Sequence, residues 1–159
     1  AILLTDAVYQ AIADGSQKNG AFGHGYTASG HPVAMAVAIE NLKIIEERGL
    51  VANAEKVGAY MQKRLREFAD HPLVGEVRGV GLIAGVELVT DKATKAKFDP
   101  VGKAGAIYTR KSAENGLINR AIGDTICFCP PLIITEAQVD EMIARFSKSL
   151  DETAAELKG

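Results

Sequence analysis

Phe22-Gly-His-Gly-Tyr-Thr-Ala-Ser-Gly-His-Pro-Val-Ala34 is the stretch on which the reading of this 159-residue chain turns. Glycines at 23, 25 and 30 keep it irregular, and Thr27 and Ser29 supply hydroxyls. Pro32 suits the first turn of a helix, because its missing N–H would be unpaired there in any case. Backbone N–H groups at a helix start carry partial positive charge and attract phosphate. Small residues let an anion come close, and hydroxyls donate to it. No Lys or Arg lies within the stretch, and Gly-x-x-x-x-Gly-Lys-Ser/Thr is absent, so this is not a P-loop. The competing reading is a plain lead-in loop in which Ser29 or His31 caps the helix.

Working outward, a helix is expected over residues 32–48. Its start, Val33 to Ile39, is small and apolar on all sides, which predicts a buried first half. Upstream, residues 14–31 hold five glycines and read as one long irregular stretch, a length more often functional than not. Before it, residues 6–13 read as a helix that Asp6 can cap, and residues 1–4 as a short buried strand. That opening has no Met and no basic segment, and four apolar residues are too few for a signal peptide. A strand beginning in mid-sequence leads us to expect a piece of a longer protein.

Downstream of Gly49 the text changes to a mixed α/β unit. A helix over residues 51–69 carries the stripe Leu50, Ala54, Val57, Met61, Leu65 and Phe68. Residues 74–78 and 82–89 read as strands joined by a tight turn at Gly79–Gly81, and residues 91–100 as a polar loop. Residues 102–114 read as a helix stopped by Asn115-Gly116. Strands are expected at 117–118 and 125–128 around Gly123-Asp124, and a further short one at 132–134. Thr135 with Gln138 matches a capping box and opens a last helix that presents Val139, Met142, Ile143, Phe146 and Leu150 on one face. The boundary between the two parts is placed at residues 48–49, giving domains 1–48 and 49–159.

Composition narrows the function classes. Lys plus Arg number 18 against 20 Asp plus Glu, so the basic excess of a nucleic-acid binder is missing. No apolar run approaches the roughly 18 residues of a membrane span. Two cysteines form no disulfide framework and point to a reducing, cytoplasmic setting.

Other motifs carry less. Gly79-Val-Gly-Leu-Ile-Ala-Gly85 is one residue too long for a dinucleotide fingerprint and leads into a strand, so it reads as a turn. His24, His31 and His71 match no compact metal-ligand set, and Cys127 and Cys129 read as packing residues on one strand face. Arg120 follows a short apolar segment and precedes a turn. A guanidinium there can hold a carboxylate through two parallel hydrogen bonds, or can be an ordinary surface arginine.

Three segments together resemble the C-terminal part of the class III aminotransferases, most closely the omega-transaminase branch. They are the opening stretch, Val77-Arg-Gly-Val-Gly-Leu82 with Gly85-Val-Glu87, and Asn119-Arg-Ala-Ile-Gly-Asp-Thr125 leading to Pro130-Pro-Leu-Ile-Ile-Thr135. The resemblance covers essentially the whole chain. It implies an aspartate-aminotransferase-like fold (fold type I): the end of the large pyridoxal-phosphate domain, then the small α/β domain. It implies transfer of an amino group from an omega-amino acid or amine to a keto acid such as pyruvate, in a cytoplasmic homodimer. Carried over by position, Thr27 would donate to the phosphate of pyridoxal 5'-phosphate held by the partner subunit, and Tyr26 would line that subunit's substrate pocket. Arg120 would be the mobile arginine that turns in for a carboxylate and away for an uncharged amine. No lysine here matches the family's Schiff-base lysine, which lies upstream of this stretch, so the chain alone is expected to be inactive. The alternative is a stand-alone, non-catalytic dimerisation or regulatory module of the same descent.

Overall fold

Ala84, Val86 and Leu88 alternate with Ile83, Gly85 and Glu87, and this period of two sets one strand face inward and the other outward. In a computed structural model, which describes residues 2–158, that strand is central to a four-stranded antiparallel sheet. The chain divides into two units, Ala1–Leu42 and Lys43–Gly159.

The second unit holds the sheet. Its strands are β1 (Val74–Val80), β2 (Ile83–Leu88), β3 (Arg120–Ile122) and β4 (Thr125–Phe128), in the order β1-β2-β4-β3. The helices are α3 (Leu50–Arg66), α4 (Lys103–Glu114) and α5 (Glu136–Glu156), with a 3₁₀ turn Glu67–Asp70 after α3. Val57, Met61 and Leu65 of α3 and Val139, Ile143, Phe146 and Leu150 of α5 are buried in one core with Val86, Ile126 and Phe128 of the sheet. The rings of Phe68, Tyr108 and Phe128 meet Phe146 edge-on, with centroids 4.9–5.8 Å away. Apart from Leu50, the stripes expected from helical spacing are therefore the ones that pack. The α5 capping box also forms: Thr135 Oγ1 accepts from the Gln138 N–H at 3.3 Å, and Gln138 Oε1 accepts from the Thr135 N–H at 3.0 Å.

Two contacts lock helices to the sheet. The buried Gln62 donates from Nε2 to the carbonyls of Gly81 (2.9 Å) and Ile83 (3.1 Å), clamping the β1–β2 hairpin tip to α3. One turn earlier, a Cβ on Gly58 would stand 2.4 Å from the Gly81 carbonyl carbon, so only glycine lets the backbones meet there.

Several expected strands are not strands, each for a local reason. Leu117–Ile118 stay outside the sheet because the Ser112 hydroxyl takes the Leu117 carbonyl, and pairing starts at Arg120. Residues 132–134 form a turn, since the Asn53 amide donates to the carbonyls of Leu132 (2.7 Å) and Ile134 (3.1 Å) in place of a ladder. Of the strand expected at 1–4, residue 1 lies outside the described residues. Ile2, Leu3 and Leu4 are exposed, with no pairing strand among the described residues.

In the first unit, α1 (Asp6–Asn19) runs six residues beyond the expected end. Gln10 and Asp14 are bonded across one helical turn at 2.8 Å, and Gly20 (φ 88°) terminates the helix. α2 (Pro32–Glu47) starts at Pro32 as expected. Its first half is exposed, not buried: Val33, Met35, Val37 and Ile39 all face solvent. An apolar helix prefers burial, but the neighbour that would cover it must come from tertiary or quaternary packing. No helix among the described residues is long and apolar enough to cross a membrane.

Candidate functional site

In the first unit the glycine-rich stretch closes on itself just before α2. The Tyr26 N–H donates to Ser29 Oγ at 3.1 Å, the Ser29 N–H returns to the Tyr26 carbonyl at 2.9 Å, and the His31 N–H reaches the Ala28 carbonyl at 3.2 Å. The Met35 N–H then bonds the His31 carbonyl at 3.0 Å and starts the helical ladder. Ser29 thus has its side chain engaged in the turn, not in capping α2. Thr27 is exposed in this turn, and its hydroxyl has no hydrogen-bond partner among the described residues. Tyr26, beside it, is 76% exposed. Phe22, His24 and Tyr26 form a row with ring centroids 5.7–5.9 Å apart. No acidic residue occurs between Asn19 and Glu40, so nothing along this stretch repels an anion. A free hydroxyl in a glycine-flanked turn that opens a helix suits a phosphate group.

In the second unit Arg120 is the first residue of the edge strand β3, paired with Cys127. It is exposed on the sheet face opposite the helices and borders a cleft of about 600 Å³. Leu117, Ile118, Cys129, Pro130 and Met142 are among the residues around it, so the cleft is largely apolar. A second groove of about 420 Å³ runs along the same sheet face past Arg78, Val80, Ile83, Ile122 and Cys127. The two arginines differ. Arg78 is neutralised by Glu87 at 2.8 Å, whereas Arg120 has no hydrogen-bond or ion-pair partner among the described residues. A guanidinium without a carboxylate of its own beside an apolar cleft can take one from a ligand. Cys127 is half-buried between the grooves, and Cys129 is exposed instead of packed, because β4 ends at Phe128.

Two polar residues flanking β3 are not singled out by the sequence. Asn119 donates from Nδ2 to the Tyr108 hydroxyl at 3.1 Å, and its Oδ1 accepts from Ser112 Oγ at 3.0 Å. Burial pushes the Tyr108 phenol above its ordinary value, so that hydroxyl stays protonated. Asp124, legible only as a turn residue, is buried. It accepts the N–H groups of Gly102 (2.7 Å) and Gly105 (2.9 Å), capping α4 from the β3–β4 turn. No pattern in the sequence links Asp124 to residues about twenty positions earlier.

The sequence model of the class-III aminotransferases matches residues 1–150. The chain belongs to this family. Among curated class relatives, the putrescine–pyruvate aminotransferase of Pseudomonas aeruginosa is 44% identical over 97% of this chain and 33% of its own length. The mitochondrial gamma-aminobutyrate transaminase 1 of Solanum lycopersicum is 40% identical over 96% of this chain and 30% of its own. A solved transaminase with L-ala superposes at TM-score 0.88 with 60% identity, covering 98% of this chain and 37% of that one. The omega transaminase of Pseudomonas jessenii in complex with PMP gives 0.88 and 51%, covering 96% and 34%. The chain therefore spans about a third of the length of the transaminases it matches. Both the expected aminotransferase family and the expected mixed α/β fragment of its fold are found.

Proposed function

We propose that this chain forms the C-terminal third of a pyridoxal-phosphate-dependent class III aminotransferase that moves an amino group from an amine or omega-amino acid to a keto acid such as pyruvate. In this reading residues 1–48 end the large domain and residues 49–159 form the small one. The protein acts as a cytoplasmic homodimer, in keeping with the free thiols of Cys127 and Cys129. The carrying observation is the unpartnered Thr27 hydroxyl in an acid-free turn at the head of α2, within a chain of this family.

Each residue then has a physical task. Thr27 donates its hydroxyl to a phosphate oxygen of the cofactor bound by the partner subunit, and the α2 N-terminus adds favourable potential. Tyr26 presents its exposed ring to the substrate pocket of that subunit. Arg120 turns its guanidinium toward a keto-acid carboxylate and away when an uncharged group enters. The cofactor, when bound, supplies the electron sink that lets the amino-bearing carbon lose its proton. The exposed apolar side chains of α2 are what a subunit interface would cover.

The test is Thr27→Ala in the full-length enzyme carrying this segment. A hydrogen bond to a charged group is worth about 1.5–3 kcal/mol, so cofactor retention should fall roughly 10- to 100-fold. Retention unchanged on dialysis would remove Thr27 from the phosphate site.

A further inference from the structure

We infer that Asn119 is the positioning residue for Arg120, held in place by Tyr108 and Ser112 so that the guanidinium swings from a fixed backbone. The inference rests on the carboxylate role proposed above for Arg120.

β3 has only three residues and lies at the sheet edge, with hydrogen bonds to β4 on one side alone. An edge strand this short frays unless something else holds it. The residue before Asn119 supplies no anchor, because Ile118 is 93% exposed. The anchor is polar instead. Tyr108 and Ser112 lie one turn apart on α4, and both are fully buried. Asn119 bridges them, giving its amide N–H to one hydroxyl and taking the other's proton on its carbonyl. The single Ser112 hydroxyl proton is shared between Asn119 Oδ1 and the Leu117 carbonyl, so residues 117 and 119 are both tied to the same helix. Arg120 leaves the chain directly after this tie, at the point where pairing with Cys127 begins.

A role in packing alone does not require this chemistry. Burying the Tyr108 and Ser112 hydroxyls and half-burying the Asn119 amide is costly unless all are satisfied, and an apolar trio would join α4 to the 117–119 segment without that demand. What the polar trio adds is a defined direction for the backbone at residue 119. The neighbouring Arg120 side chain has no partner among the described residues and is left free to move. Anchored backbone with a mobile head is what a carboxylate-gated arginine needs.

The experiment compares Asn119→Ala, Tyr108→Phe, Arg120→Ala and the Asn119→Ala/Arg120→Ala double variant in the full-length enzyme. KM and kcat are measured for pyruvate and for putrescine, an amine without a carboxylate. Asn119→Ala and Tyr108→Phe should each raise KM for pyruvate about three- to tenfold, the loss of one or two hydrogen bonds. KM for putrescine should stay within about twofold, and adding Asn119→Ala to Arg120→Ala should change nothing further. Tyr108→Phe keeps the ring in the core and carries the test if Asn119→Ala does not fold. Equal effects on both substrates, no effect, or full additivity with Arg120→Ala would overturn the positioning role while leaving Arg120 as carboxylate ligand. A non-selective Arg120→Ala would overturn both.

Discussion

Replacing Asp124 by Ala removes the only side chain among the described residues that caps α4, whose own N-cap position is Gly102 with no side chain to offer. Two short bonds to a buried carboxylate are lost at once, from the N–H groups of Gly102 and Gly105. A hydrogen bond to a charged group contributes about 1.5–3 kcal/mol, and the buried Gly105 N–H would be left without its acceptor. Solvent can reach the Gly102 end in part, so the two losses do not add fully. We expect about 3–5 kcal/mol of destabilisation, a large share of the 5–15 kcal/mol that holds a typical domain. Asp124→Asn keeps one acceptor oxygen and should lose about half as much. The assay is urea denaturation of the chain followed by far-UV circular dichroism. A loss below about 1 kcal/mol at unchanged m-value would show that the β3–β4 turn does not cap α4.

Gly58→Ala gains about 1 kcal/mol of helix propensity, yet its Cβ would lie 2.4 Å from Gly81 backbone that Gln62 clamps. Since backbone cannot rotate aside, overpacking wins and the thermal midpoint should fall; a rise would refute the close approach. Thr135→Ala breaks the α5 capping box and should cost about 1 kcal/mol by denaturant midpoint, with no change in cofactor retention. The Thr94 hydroxyl and N–H hold the Asp91 carboxyl below its usual range, and Arg110 does the same for Glu156. A depressed carboxylate stabilises above its unfolded value and loses that contribution as pH falls through the folded value. Stability should thus drop with acid below about pH 4, and Thr94→Val should shallow that limb in a pH series of denaturation midpoints.

The sequence alone was enough for α3, α5 and the β1–β2 hairpin, because their signals are local. Met61, Leu65, Phe146 and Leu150 recur at helical spacing, Thr135 and Gln138 bond within one turn, and Ala84, Val86 and Leu88 alternate. Thr27, Tyr26 and Arg120 could be named because short motifs carry them. Tertiary structure decided where those patterns stop and what holds them. Whether Leu117 and Leu132 joined the sheet depended on Ser112 and Asn53 taking their carbonyls, from 5 and 79 residues away. Asp124 became a helix cap, and Asn119 a tie to α4, only when folding brought distant donors within about 3 Å. Burial of α2 could not be read from its composition at all. Periodicity records which face seeks cover, whereas the covering surface belongs to whatever packs against it.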